Sequence, residues 1–162
     1  MRALLHLSAV PVVCALSMPA NAQLLEQKAI PAAMALTIAQ VAMDTCKTNG
    51  YRVSVSLVGR TGELLLQVRG DGTGPHTMEN SFRKAYTSRT FRSSSGDFAK
   101  RLKDNPQLPL IHLTNVIAAQ GALPIMVGED VLGAVGVSGA PGGEKDEVCA
   151  KAGIDKVADQ LK

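Results

Sequence analysis

Three features of this sequence predict an α+β fold. The expected form is a single α-β-α domain on a mainly antiparallel sheet, flanked by N- and C-terminal helices. Two stretches, Tyr51–Arg69 and Leu123–Ser138, place apolar strand-like runs on either side of a glycine-containing turn, as β-hairpins do. Apolar stripes at helical spacing occupy both ends of the chain beyond its leader. Strands joined by hairpins pair antiparallel, and long amphipathic helices can cover the faces of such a sheet.

The first 22 residues have the composition of an export signal. Arg2 supplies a positive start, Leu4–Met18 is an apolar run, and Ala20-Asn21-Ala22 is a small-x-small cleavage signature. A membrane anchor is the rival reading. The run is shorter than the ~20 residues a spanning helix needs, and Pro11 interrupts it. The expectation is a signal peptide over 1–22, one domain over 23–162, a periplasmic or secreted location, and no membrane insertion after cleavage.

Removing Arg2 leaves sixteen Lys and Arg against fourteen Asp and Glu, a balance that argues against a nucleic-acid binder. With no Trp, two Tyr and three Phe, the core must come from Val, Leu, Ile, Ala and Met. Few rings are left on which bases or sugars could stack. Cys14 would leave with the signal. Cys46 and Cys149 would then sit in an oxidising compartment, as one bridge or as two buried thiols.

Leu24–Thr48 reads as helix, with Ala32, Leu36, Ala39, Met43 and Cys46 in one apolar stripe and Asn49-Gly50 as the stop. Pro31 suits an early helical position, so regular helix should start near Ile30. Tyr51–Val58 follows as a strand, with Val53, Val55 and Leu57 on one face and Ser54, Ser56 and Val58 on the other. Gly59-Arg60-Thr61-Gly62 turns the chain into a second strand, Glu63–Arg69. Gly70–His76 holds three glycines and a proline, and reads as a loop with special backbone angles. Thr77 can cap a helix over about Met78–Phe91, with Phe82, Ala85, Tyr86 and Arg89 on one face.

Ser95 can cap a short helix from Gly96 to about Lys103, ended by Asp104-Asn105-Pro106. Asn115–Ala119 supplies a further strand. Leu123–Val127 and Val131–Ser138 form the second hairpin. In its return strand Gly133, Gly136 and Gly139 mark close approach of another backbone or a ligand. Gly142-Gly143 opens the last helix, with Ala150, Ile154, Val157 and Leu161 as its inner stripe, and Gly153 indicates close packing there.

The sequence holds no phosphate loop, nucleophile elbow or zinc spacing. Chemistry must come from scattered residues. His76 lies in the glycine-rich loop before a basic helix. A neutral imidazole can ligate iron, with Arg83 or Lys84 placed to meet haem propionates. A solvent-facing or turn-bonded histidine is the plainer reading of a lone His. His112, between Ile111 and Leu113, reads as partly buried. Tyr86 offers an axial phenolate, although its spacing from Phe82 suits core packing. The basic cluster Arg83–Arg92 suits an anion or a partner, or a solvated helix face. At Gly139–Gly143, the neighbouring Glu144, Asp146 and Glu147 would repel an anion, so a tight turn with dipole-matched carboxylates is preferred.

Two passages carry a resemblance. One is LPIMVGEDVLGAVGVSGAPGGEKDEVCAKAGID; the other is VSVSLVGRTGELLLQVRGDGTGPHTMENSFRKAYTSRTF. With the glycine strand Gly133–Gly139, the Cys149–Gly153 segment, the Arg69–Gly72 loop and the Lys84-Ala85-Tyr86-Thr87 helix, the chain resembles the GlcG/HbpS-like family of haem-binding proteins from about Met34 onward. The resemblance implies an α-β-α domain with a mainly antiparallel, five-stranded sheet, self-assembly into dimers or larger rings, and haem as cofactor. Some secreted members assist a membrane kinase, which implies a membrane sensor protein as partner. Gly59 stands where the family usually has Asp, and Ser95 where it usually has Thr, one of the haem ligand types in the family.

The expected function is an exported, non-enzymatic haem-binding protein for storage, buffering or sensing. His76, Arg83, Lys84, Tyr86 and Ser95 are the candidate cofactor-binding residues, with His76 as the iron ligand. The alternatives are a haem-free small-molecule-binding accessory module and a haem-degrading enzyme.

Overall fold

The sheet has four strands in the order β2-β1-β4-β3, every adjacent pair antiparallel. The computed structural model describes residues 23–162; the expected signal peptide lies outside the described residues. The chain runs α1 (Ala32–Thr48), β1 (Ser54–Val58), β2 (Leu64–Arg69), α2 (His76–Phe91), α3 (Ser95–Asp104), a 3-10 turn (Pro109–His112), β3 (Ala122–Val127), β4 (Asp130–Ser138) and α4 (Gly143–Lys156). The α+β class and both hairpins are as the residue pattern predicts.

The fifth strand is absent among the described residues. Asn115 takes a left-handed conformation, φ 66°, and the segment after it bonds to side chains of α2 instead of to a strand. The Ile117 N–H donates to Thr87 Oγ1 at 2.9 Å, and Arg83 Nη2 donates to the Val116 carbonyl at 2.8 Å. Backbone groups satisfied by a helix have no need of a strand partner.

Both terminal helices lie on the same face. Cys46 of α1 is bridged to Cys149 of α4. The Ile38 carbonyl of α1 sits where a Cβ on Gly153 of α4 would lie 2.5 Å away, so this glycine does allow close packing. Helix α2 covers the opposite face. The buried stripe of α1 is Ala35, Ile38, Ala39, Ala42 and Cys46, whereas Leu36, expected inside, is 57 % exposed. A helix this rich in alanine offers two adjacent stripes, and the fit against α4 selects one of them.

Every residue of β1 is buried, because helices cover both its faces. Val55 and Leu57 join the larger core with Val135, Val137 and α1. Ser54 and Ser56 face α2, where they hydrogen-bond Thr77 and Ser81, each at 2.7 Å. The polar side of the alternation is therefore a buried helix seam in which each hydroxyl has a partner.

Two expected caps fall earlier in the chain, by one residue at α3 and by two at α2, where Pro75 precedes the helix. Ser94, not Ser95, accepts the Asp97 N–H at the start of α3. Helix α2 begins at His76, and the Thr77 hydroxyl is directed back to the Gly74 carbonyl.

Gly136 is where α2 meets the sheet. A Cβ there would lie 2.2 Å from the Ser81 carbonyl and 2.7 Å from the Ala85 nitrogen. Gly136→Ala should lower stability by about 1–3 kcal/mol, because backbone cannot yield as a side chain can and the Ser56–Ser81 bond would be pulled apart. Urea denaturation of the variant beside the parent checks this.

Candidate functional site

At the end of the sheet where β1 begins and β2 and β4 finish, three connections leave a concave surface: Gly50–Arg52, Gly70–Pro75 and Gly139–Pro141. Between them is a cleft of about 540 Å³ bordered by Tyr51, Arg52, Thr73, His76, Thr77 and Pro141. A second cleft of about 400 Å³ adjoins it across Tyr51 and Arg52 and reaches Met43 and Lys47 of α1.

Glycines shape this surface. Gly72, at φ +69°, lets the Arg52 guanidinium lie against the loop; a Cβ there would be 3.1 Å from Nη1. A Cβ on Gly74 would come within 2.8 Å of His76 Cε1. The loop is pinned from inside. Thr73 Oγ1 donates to the Gly70 carbonyl at 3.0 Å, and Arg69 Nη2 donates to the Thr73 carbonyl at 3.0 Å. His76, the first residue of α2, is exposed at the cleft, as is Arg52. Among the described residues neither is taken up in an ion pair. Tyr51 is half-buried, with Lys145 Nζ 5.6 Å from its ring centre.

Of the five residues singled out in the sequence, only His76 lines this cleft. Arg83 donates to Glu79 at 3.1 Å and to the Val116 carbonyl. Tyr86 packs beside Phe82, ring centres 6.0 Å apart, and against Gly62. Ser95 is buried and accepts the Ala122 N–H at 3.0 Å. Lys84 is buried in an ion pair with Asp146, 2.8 Å, and also donates to the Val137 carbonyl at 3.1 Å. His112, expected to be partly buried, is exposed on the 3-10 turn.

Arg52 and Tyr51 border the cleft without standing out in the sequence. The one available signal was their position between the helix stop Asn49-Gly50 and the start of β1, where side chains at a strand mouth project past the sheet. Among the described residues no three His, Cys, Asp or Glu cluster as a metal site, and no helix is long and apolar enough to cross a membrane.

A family model described as "Haem degrading protein HbpS-like" matches residues 30–155. The chain belongs to the HbpS-like family. A double mutant of Streptomyces reticuli HbpS is 30% identical over 87% of this chain and 97% of its own, with a TM-score of 0.79. Klebsiella pneumoniae ORFY is 26% identical over 88% of this chain and 98% of its own, at 0.77. PduOC, solved as a haem complex, shares the fold at 19% identity, covering 79% of this chain and 94% of its own, with a TM-score of 0.73.

In this HbpS-like chain the Lys84-Ala85-Tyr86-Thr87 motif docks α2. Lys84 reaches Asp146 of α4, Ala85 packs at Gly136, and Thr87 receives the Ile117 N–H. Burial pushes the Asp146 carboxyl above its usual range, against the pull of Lys84 and of the Ala140 N–H.

Proposed function

We propose that this HbpS-like protein is exported and binds haem without transforming it, for storage, buffering or sensing. The observation that carries the proposal is the placement of His76. Its imidazole is exposed at the wider cleft, with the Arg52 guanidinium and the Tyr51 ring on the same rim. The three side chains match three parts of haem: imidazole for the iron, guanidinium for a propionate, and an aromatic wall beside the porphyrin. The family description and the haem carried by the same fold in PduOC support the reading. Lys84 and Ser95 are buried and Arg83 is held by Glu79 and the Val116 carbonyl, so they remain outside this proposed site.

Titration of purified protein with micromolar haemin should give a saturable Soret band. His76→Ala should abolish it with the circular dichroism spectrum unchanged. Arg52→Ala should weaken binding about tenfold, the worth of one charged hydrogen bond. No spectral change at micromolar haemin would overturn the proposal, as would full binding by His76→Ala.

Export rests on the reading of residues 1–22, and the Cys46–Cys149 bridge supports it because such bonds persist in oxidising compartments. Self-association and an accessory role beside a membrane sensor protein complete the proposal. A second reading, haem degradation, is favoured by the family's description. It requires that bound haem be consumed in the presence of a reductant, with a defined product.

A further inference from the structure

The narrower cleft shares Tyr51 and Arg52 with the haem reading, but its other side chains are not used by it. Its walls carry two acids and two bases: Asp44 and Lys47 on α1, Arg52 before β1, and Asp71 in the glycine loop. Among the described residues none of the four takes part in an ion pair, with each other or with anything else. Opposite charges brought into one concave site and left unpaired are suited to a ligand that carries both signs.

The remaining lining sets a size and an orientation. About 400 Å³ lies within the range of small-molecule sites. Met43 and Tyr51 supply an apolar wall. Gln40 Nε2 holds both oxygens of Asp44 at 3.0 Å, so that carboxylate is fixed with acceptor capacity still free.

We infer that this cleft binds a small zwitterion of the size of a free amino acid. Lys47 and Arg52 receive its carboxylate, Asp71 and Asp44 its ammonium, and Met43 and Tyr51 its side chain. The inference does not require haem, since His76 lies in the other cleft, but Tyr51 and Arg52 border both clefts, so haem and the zwitterion would compete for them.

The test is a thermal-shift screen of the mature protein against the free L-amino acids at millimolar concentration, followed by calorimetry on those that stabilise it. At least one should raise the melting temperature. Its methyl ester, which lacks the carboxylate, and its N-acetyl derivative, which lacks the ammonium, should each bind at least tenfold more weakly. Lys47→Ala and Asp71→Ala, both at exposed positions, should each reduce affinity about tenfold while His76→Ala leaves it unchanged. The inference is overturned if no amino acid shifts the melting temperature, if the ester or the N-acetyl derivative binds as well as the parent, or if both cleft variants bind like wild type.

Discussion

Lys84→Met should destabilise the fold by about 3–5 kcal/mol, the cost of leaving a buried charge without its partner. The side chains of Lys84 and Asp146 are 7% and 3% exposed, so water cannot take over from the missing ammonium. Among the described residues, Asp146 would keep only the Ala140 N–H, at 3.0 Å. The double variant Lys84→Met/Asp146→Asn should recover most of the loss. It removes both charges and keeps a side-chain oxygen for that N–H. Urea denaturation of the two variants checks the pair; equal losses in both would mean that the charges are not the cause.

The pH dependence follows from the same burial. The Asp146 carboxyl is raised above its ordinary 3.8, chiefly by desolvation. In the window above 3.8 the folded chain therefore holds more protons at this site than the unfolded chain. Its contribution to stability falls as the pH rises through that window, up to the raised value, and is level beyond it. Asp146→Asn should remove this slope from the pH–stability curve.

Replacing both cysteines with alanine should cost a comparable amount. The bridge joins residues 103 apart, and cross-linking a loop of about 100 residues is worth about 4.7 kcal/mol in the chain-entropy model. Measured losses of native bridges run at about 2–5 kcal/mol. The melting temperature should fall by on the order of 10 °C in a domain of this size. Both cysteines are fully buried, so a thiol reductant should act on the native protein far more slowly than on the unfolded chain. A melting temperature unchanged in the double alanine variant would show that α1 and α4 hold together by packing alone.

Element type was legible where period and punctuation agree. Both hairpins, the helix stop at Asn49-Gly50 and the closing helix follow from local rules that act over a few residues. The glycines of β4 signal close approach, and Gly136 lies against the backbone of α2. Less legible was what each face would meet. The alternation puts Ser54 and Ser56 opposite the apolar face of β1, but that a helix of matching hydroxyls covers them depends on residues more than twenty positions away. The same holds for Lys84. A lysine on a basic helix reads as a surface cation until the fold brings Asp146, sixty-two residues later, to 2.8 Å.

The candidate site divides along the same line. His76 is legible as a candidate because a loop histidine is a local fact. Arg52 is not, because its place at the cleft depends on the start of β1, the loop after β2 and the turn after β4 converging at one edge.

By itself the sequence determined the α+β class, the hairpins, the helices at both ends and the family, since each is carried by spacing and local motif. Only the tertiary structure decided that the sheet has four strands among the described residues, that α1 and α4 share a face joined by Cys46 and Cys149, and which charges are buried and which line a cleft. The physical reason is that periodicity reports how a side chain points relative to its own backbone, whereas pairing, burial and cavity shape depend on which distant segment arrives opposite it.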